Sequence, residues 1–297
     1  MRITKDKTVI QNLTLDGKGK AGIAIYVDAN HITIKNVTIK GYHGKDSCGI
    51  YIAGGCHDIL IDSCNIYDIA IKGDPHEDNC ANAILGMGDS KKAIKNVTVQ
   101  RCKIHGIKSG YSEVVSFAGN VTNLTIRKND VGSCSNIGIG VSGNYGYCKN
   151  KKLDHPRHVN INGNTVYACK CPYDACGGIY TDGCADVSIA SNNVSKCQYG
   201  IEAGAEEKSS YGNHDIVIKD NTIKSCSKAG ICVGGYEPDL PAVKNVKIQG
   251  NTISGCRASY MLNKCSDIHI KGNHLSGNTR YIVYDLGKKY VSGLKRG

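Results

Sequence analysis

Short runs of alternating apolar and polar residues recur along the whole chain, and each run is followed by the same small motif. Two residues after an alternating run comes Asn-x-(Val/Ile), as in Val159–Val166 and Ile216–Ile223. Alternation with a period of two predicts β-strands with one buried and one exposed face. The motif position recurs at spacings of 24, 27, 38, 27, 35, 28, 29, 30 and 22 residues, and its occupants are Leu13, Val37, Cys64, Cys102, Asn129, Asn164, Asn192, Asn221, Asn251 and Asn273.

A second short strand lies between consecutive motifs and usually opens with Gly-Ile, as at Gly178 and Gly200. One such unit is too small to bury its own apolar face, whereas stacked units bury each other's. The repeat therefore predicts an all-β fold, a single-stranded right-handed parallel β-helix of about ten coils that forms one domain over residues 1–297. No helical pattern of 10–15 residues separates the strands, which argues against a doubly wound α/β fold.

Two residue types recur at fixed positions of the repeat. Asparagine tolerates the left-handed conformation of a turn, and its amide can bond to the next coil. Five residues after the motif asparagine, a cysteine column alternates with isoleucine, which predicts buried thiols rather than disulfides. Cys171 and Cys176 fit no column, and whether they are bridged stays open. The column consists of Cys134, Cys169, Cys197, Cys226 and Cys256.

Composition and charge narrow the class of protein. Charged residues make up 21% of the chain and no 18-residue apolar run occurs, so neither a disordered chain nor a membrane protein is expected. The amino-terminal residues lack the apolar stretch of a signal peptide. The sequence thus predicts an extracellular location only if a leader has been removed, and a cytoplasmic one otherwise. The oligomeric state is left open.

The net charge of +11 favours a polyanionic partner, such as nucleic acid, an anionic surface or an acidic polysaccharide. Nucleic acid is disfavoured because the basic residues form no concentrated patch. The chain also has one Phe and no Trp for base stacking.

The asparagine row, the Gly-Ile strands and the chain length resemble the pectate-lyase-like right-handed β-helix superfamily. A narrower resemblance, to bacterial polysaccharide-degrading β-helix proteins, is carried by the segments 111–113, 136–138, 154–157, 178–183 and 200–206. The resemblance implies a carbohydrate substrate. It does not select the reaction, because the superfamily includes polysaccharide lyases, glycoside hydrolases, uronate epimerases and phage tail-spike depolymerases.

Strand alternation places a set of polar side chains on the outer face of the coils. Ile179 and Thr181 should point inward, so Tyr180 and Asp182 point outward, and Glu202 stacks beside Tyr180 one coil away. Loops 144–158 and 168–177 should wall a groove over this face. The predicted catalytic residues are Arg157, Tyr180, Asp182 and Glu202; the predicted substrate-binding residues are Tyr145, Lys152, Asp154, His155, Tyr173 and Glu206.

The basic loop and the net charge favour β-elimination on an acidic, uronate-containing polysaccharide. That reaction needs a base, an acid and a cation that neutralises the substrate carboxylate. Arg157 or Lys170 could neutralise this carboxylate, and Tyr180 or His155 could serve as base or acid. Calcium could assist if acidic side chains hold it, with Asp182, Glu202 and Glu206 as possible ligands.

Three alternatives to a lyase stay open. A glycoside hydrolase could use Asp182 and Glu202, if the two carboxyl groups lie roughly 5–9.5 Å apart. An epimerase is suggested by Asp74-Pro-His76-Glu77, although this motif lies in an insertion and not on a strand. A non-catalytic, spike-like carbohydrate-binding β-helix is the third.

Overall fold

The computed structural model describes residues 1–76, 79–209 and 211–297 and contains three parallel β-sheets. Sheet I comprises Arg2–Ile3, Ile23–Val27, Ser47–Ile52, Ala81–Gly88, Val115–Gly119, Ile139–Ser142, Gly177–Asp182, Tyr199–Gly204, Ala229–Val233, Ala258–Leu262 and Arg280–Val283. Sheet II comprises Val9–Gln11, Ile32–Lys35, His57–Asp62, Ile94–Gln100, Val121–Arg127, Arg157–Asn162, Ala185–Ala190, His214–Lys219, Val243–Gln249, Cys265–Lys271, Val291–Ser292 and Lys295–Arg296. Sheet III comprises Thr14–Lys20, Thr38–His43, Asn65–Ala70, Lys103–His105, Asp130–Ser135, Thr165–Lys170, Asn193–Ser195, Thr222–Lys224, Thr252–Ser254 and His274–Ser276.

The chain visits sheets I, II and III in turn, and each strand pairs with the equivalent strand one coil later. The predicted right-handed parallel β-helix is therefore confirmed. Inward-facing Ile, Val and Cys side chains from all three sheets form one hydrophobic cluster that extends from Ile3 to Ile270. A 3-10 helix at Lys288–Tyr290 precedes the last two short strands. Among the described residues, no helix has the length and apolarity needed to cross a lipid bilayer.

Six asparagines bond to one another at the turn between sheets II and III. Each Oδ1 from Asn164 onward accepts hydrogen bonds from the backbone N–H and the Nδ2 of the preceding asparagine, at 2.9–3.0 Å. Each Nδ2 also donates to a strand carbonyl of the preceding coil, such as Ile161 for Asn192. The row therefore satisfies polar groups that the turn buries.

The cysteine column is buried and its thiols are free, as predicted. Its five members have exposures between 0% and 6%, and Cys134 pairs in register with Cys169. Cys171 and Cys176 are also buried free thiols; the backbone N–H of Cys171 donates to the Cys176 Sγ at 3.1 Å.

A second column, on the outside of the coils, was not anticipated from the sequence. At the start of the sheet II strands one residue per coil adopts a left-handed conformation, with φ between 50° and 61°. Their exposed side chains bond between coils, as where the Asn96 Nδ2 donates to the Asp58 Oδ1 at 2.8 Å. The outer column comprises His31, Asp58, Asn96, Asn123, His158, Asp186, Asp215, Asn245 and Asp267.

Candidate functional site

The acidic side chains lie on the outer face of sheet I, where alternation places them. Tyr180 pairs in register with Glu202, and Asp182 with Gly204, on strands Gly177–Asp182 and Tyr199–Gly204. This face is nevertheless not an open groove. Tyr180, Asp182 and Glu202 are 4%, 1% and 2% exposed, because side chains from neighbouring loops cover them.

Tyr145, from the loop after strand Ile139–Ser142, joins two carboxyl groups. Its hydroxyl lies 2.6 Å from the Asp182 Oδ2 and 2.8 Å from the Glu206 Oε2. The Glu206 backbone N–H also donates to the Asp182 Oδ1 at 3.0 Å. Tyr180 donates to the other Glu206 oxygen at 2.7 Å. Asp182 and Glu206 are thus held together as a pair.

The hydrogen count of this cluster limits how its contacts can be satisfied. The Tyr145 hydroxyl has one proton, so it can donate to only one of the two carboxyl groups, and the other contact is a hydrogen bond only if that carboxyl group is protonated. Burial, followed by repulsion from Glu206, raises the pKa of Asp182 to about 8. The raised pKa favours a proton on Asp182 at neutral pH. With that proton, Asp182 donates to Tyr145 and the exposed Glu206 accepts from both phenols.

Glu202 forms a second acid–phenol contact with a residue that the sequence analysis missed. The Tyr236 hydroxyl, from the loop after strand Ala229–Val233, donates to the Glu202 Oε1. Burial, with a further contribution from Glu206, raises the pKa of Glu202 to about 8 despite this bond. Gly204 leaves room for the neighbouring Tyr180 side chain, because a Cβ at Gly204 would lie 2.7 Å from the Tyr180 hydroxyl. Tyr236 lies one coil beyond the region of resemblance, so only its position after a sheet I strand could have indicated it.

Glu113 is another acid that was not selected from the sequence. It accepts hydrogen bonds from Ser116 at 2.9 Å and Ser112 at 3.3 Å, and burial raises its pKa. Its side chain lies over Gly140, where a Cβ would be 2.3 Å from the Glu113 Cγ. The glycine therefore allows an acid from the preceding loop to reach the outer face of sheet I.

The carboxyl cluster opens into a cleft of about 410 Å³. Its lining is mainly acidic, and its lysine, Lys208, forms an ion pair with Asp239. The surroundings of the site are thus anionic, although the whole chain carries a net charge of +11. The cleft is lined by Glu206, Glu207, Lys208, Tyr236, Glu237 and Leu240.

Exposed tyrosines flank the site at both ends of the sheet I strands. Tyr111 and Tyr173 precede strands Val115–Gly119 and Gly177–Asp182, and their ring centroids are 4.9 Å apart. Tyr145 and Tyr147 follow strand Ile139–Ser142, with ring centroids 6.0 Å apart. Tyr173 therefore does not join the carboxyl cluster, although loop 168–177 was expected to form one of the two walls over it.

Asp154 and His155 were predicted to contact substrate, but both are buried within their own loop. Asp154 is 2% exposed and accepts from the backbone N–H groups of Gly146 and Cys148, at 2.6 and 2.8 Å. It thereby organises the turn that carries Tyr145. His155 is buried, and burial, followed by the charge of Arg157, lowers its pKa to about 4. Among the described residues, no hydrogen bond or ion pair joins His155 to Asp182, Glu202 or Glu206.

Arg157 and Lys152 do not converge on the acids either. Arg157 begins a strand of sheet II, not sheet I, and its guanidinium donates to the Asn120 Oδ1 at 3.0 Å. Lys152 is exposed, and its backbone N–H donates to Asn150. Across the described ranges, no ion pair involves Asp182, Glu202 or Glu206.

The suggested calcium ligands are not arranged as a shared cation site. The carboxyl oxygens of Asp182, Glu202 and Glu206 do not all lie within 4.8 Å of one another. Phenol hydroxyls occupy the positions next to these oxygens. As arranged, the three residues therefore do not fit a common calcium ion.

The epimerase-like motif lies apart from this cluster. Asp74 and His76 belong to a loop closed by Asn79, whose Nδ2 donates to the Asp74 carbonyl at 2.9 Å. Its last residue, Glu77, lies outside the described residues. Residues 74–76 are therefore not part of a strand face, as the position of the motif in an insertion already indicated.

A profile of the family described as "Right handed beta helix region" matches residues 21–209 and 177–287. The chain belongs to this family. A relative of this β-helix, the uncharacterized protein YwoF of Bacillus subtilis (strain 168), is 31% identical over 226 residues. That alignment covers 74% of this chain and 47% of YwoF, so the chain spans about half the length of the relative.

Two solved structures share the fold of this β-helix. PfbA, a surface adhesin of Streptococcus pneumoniae, is 17% identical with a TM-score of 0.70, covering 93% of this chain and 70% of PfbA. DFA-IIIase from Arthrobacter chlorophenolicus A6, in complex with GF2, is 12% identical with a TM-score of 0.59, covering 87% of this chain and 62% of the enzyme. At these identities the likeness concerns the fold alone.

Proposed function

We propose that this β-helix hydrolyses glycosidic bonds in a neutral polysaccharide, with Asp182 and Glu206 as its catalytic carboxyl pair. The Tyr145 bridge carries the proposal. Its two hydrogen bonds limit the distance between the facing carboxyl oxygens to roughly 5.4 Å. Inverting glycosidases separate their carboxyl groups by about 6.5–9.5 Å and retaining ones by about 5–5.5 Å. This upper limit lies below the inverting range, so of the two mechanisms the pair is compatible with the retaining one.

Each carboxyl group has a role that follows from its surroundings. The protonated Asp182 gives its proton to the glycosidic oxygen as the bond from that oxygen to the anomeric carbon breaks. The ionised Glu206 attacks the anomeric carbon and forms a covalent glycosyl ester. Asp182, now ionised, removes a proton from water, whose oxygen displaces Glu206 and releases the sugar. Both carboxyl groups return to their starting states.

Tyr145 occupies the space between the carboxyl groups before substrate binds. Its side chain is 38% exposed and belongs to a loop, so it can leave without disturbing the sheet. The substrate oxygen then takes the hydroxyl's place as the acceptor of the Asp182 proton. Glu202, held by Tyr236, lies at the same face and suits hydrogen bonding to sugar hydroxyl groups.

The acidic surroundings favour a neutral substrate over a uronate chain. A uronate carboxylate would meet Glu206, Glu207 and Glu237 in the cleft. Arg157, the cation expected to neutralise it, bonds to Asn120 instead. The exposed tyrosine pairs suit a sugar chain, because aromatic rings pack on apolar faces and their hydroxyls bond at the edge. The fold shared with the carbohydrate-active DFA-IIIase is consistent with this substrate class.

The test is a screen of neutral and acidic polysaccharides that measures new reducing ends and the absorbance of new unsaturated ends together. We expect reducing ends alone, from a neutral polymer, with retained anomeric configuration by proton NMR. Asp182→Asn and Glu206→Gln should each reduce the rate at least about 100-fold. Asp186→Asn, an exposed acid of sheet II, is the matched control and should keep full activity.

Three results would contradict the proposal. Unsaturated products would indicate the uronate lyase predicted from the loop charges, and inversion would require a different carboxyl pair. Binding of a polysaccharide without cleavage would favour the non-catalytic alternative, as in an adhesin.

A further inference from the structure

We propose that His31, His57 and Asp58 form a binding site for one divalent transition-metal ion of the Zn²⁺ class. The three residues lie on the outer corner of sheet II in the first coils, away from the carboxyl cluster of sheet I. One ligand atom from each lies within 4.8 Å of the other two. The His31 Nδ1 is 3.3 Å and the His57 Nδ1 is 2.8 Å from the Asp58 Oδ2.

These distances suit tetrahedral coordination. Zinc binds imidazole nitrogen and carboxylate oxygen at about 2.0–2.2 Å, which places neighbouring ligand atoms about 3.3 Å apart. The separation of His31 and Asp58 already has this value. His57 and Asp58 are closer because a hydrogen bond joins them, and a metal ion bound between them would widen the contact by about half an ångström. Water would complete the coordination from the solvent side.

The backbone fixes the ligands before any ion arrives. His31 and Asp58 both occupy left-handed positions of the outer column, with φ of 55° and 58°, on consecutive strands of sheet II. The His31 backbone N–H donates to the His57 carbonyl at 3.0 Å, which ties the two turns together. Ligands held by paired strands lose little conformational entropy when they bind an ion.

A hydrogen bond from Asn96 orients the Asp58 carboxylate. The Asn96 Nδ2 donates to the Asp58 Oδ1 at 2.8 Å and leaves Oδ2 directed at the two imidazoles. Outer-shell partners of this kind typically change metal affinity 10–100-fold. Two imidazoles with one carboxylate favour Zn²⁺, Co²⁺, Ni²⁺ or Cu²⁺ over Ca²⁺ and Mg²⁺, which prefer all-oxygen sites.

The same corner contains a natural control. His214 and Asp215 form the same adjacent pair, with the Nδ1 and Oδ2 2.7 Å apart. One coil earlier in the outer column, however, stands Asp186, where the proposed site has His31. A site that needs two imidazoles should therefore exist at His57 and not at His214.

The test is calorimetric titration of the full chain, without a histidine tag, with Zn²⁺, and visible spectroscopy with Co²⁺. We expect one ion per chain, a tetrahedral Co²⁺ spectrum without a sulfur-to-cobalt band, and a higher melting temperature with Zn²⁺. His31→Asn and His57→Asn should abolish this binding, Asn96→Ala should weaken it about tenfold or more, and His214→Asn should leave it unchanged. Because the three histidines lie at the surface, the metal-free melting temperatures of their variants should match that of the parent. Asn96→Ala should melt slightly lower, because alanine is strained at a φ of 55°.

Failure of the parent chain to bind Zn²⁺ would overturn the proposal. Equal binding in all four variants, or a sulfur-to-cobalt band that shows cysteine ligation, would do so as well.

Discussion

At the residue scale, one phenol hydroxyl links the protonation states of two acids. The single Tyr145 proton can be donated to only one of the two carboxyl groups, and a proton on the buried Asp182 supplies the donor for the other contact. That proton therefore stabilises the substrate-free site, and it is the proton that Asp182 transfers in the proposed reaction. Substitutions at either acid change the whole hydrogen-bonded set.

The raised pKa of Asp182 predicts a pH-dependent effect of Asp182→Asn on stability. Because its pKa is about 8 in the folded state and about 3.9 in an unfolded chain, the folded protein holds the extra proton between these values. Its contribution to stability is therefore greatest below about pH 4 and is lost as the pH rises towards 8. Asparagine does not titrate, so Asp182→Asn should lose less stability over this range.

Thermal melts at pH 5 and pH 8 measure this difference. The melting temperature of the variant, relative to the parent, should rise between the two pH values. Asp220→Asn, at an exposed acid that forms no ion pair within the described residues, should follow the parent. Parallel curves for Asp182→Asn and the parent would contradict the assigned proton.

At the element scale, the turn between sheets II and III recurs from coil to coil and connects their strands. Asn192 is buried there, makes bonds to Asn221 and Ile161, and accepts from Asn164. Neither the strand before it nor the strand after it can replace these bonds. The turn therefore depends on side chains, whereas the strands depend on their backbones.

Asn192→Leu should lower the free energy of unfolding by about 1–3 kcal/mol, because it leaves buried donors and acceptors without partners. Chemical denaturation monitored by circular dichroism measures the loss. Asn193→Leu is the matched control, since Asn193 follows directly but has an exposed side chain. A similar, small effect of both substitutions would show that the interior bonds contribute little.

The periodicity of the sequence predicted the strands and which of their side chains point outward, because the same alternation and stacking recur in every coil. Tyr180, Asp182 and Glu202 were placed on one face for this reason, and the register confirms it. The path of an inserted loop obeys no such repeat. The same reasoning therefore placed Arg157 in a loop that walls the groove, whereas Arg157 begins a strand of sheet II. It also left Tyr236 out of the site.

The hydrogen bonds inside the loops could not be predicted from the sequence either. Asp154 was expected to bind substrate because acids near a basic loop suggest a polar surface. It instead accepts two backbone hydrogen bonds within its own loop, and only the folded turn reveals those donors. The outer column of left-handed residues was missed because Asn, Asp and His at strand starts are ordinary surface residues in a linear reading.

At the scale of the whole molecule, the three sheets enclose a core in which cysteine serves as a small apolar side chain. Every cysteine in the described chain except Cys80 is buried. The column from Cys134 to Cys256 places thiols in neighbouring coils without joining them. Such a core needs no oxidising compartment to form.

The buried thiols predict a large difference between native and unfolded protein in a thiol titration. With an excess of an aromatic disulfide reagent, the native protein should react at about one cysteine or fewer within minutes, because burial blocks access. In denaturant all sixteen cysteines should react. Rapid modification of several thiols in the native state would contradict the buried column.

The asparagine row also gives the stack of coils a net dipole along its axis. Backbone dipoles largely cancel in β-sheets. Every side-chain carbonyl from Asn129 to Asn273, by contrast, faces the preceding coil and accepts from it. Aligned amides of this kind add their dipoles and polarise one another. The interior of the solenoid therefore contains a linear dipole with its negative end at Asn129, so the two ends of the molecule are electrostatically distinct even where their surface charges are alike.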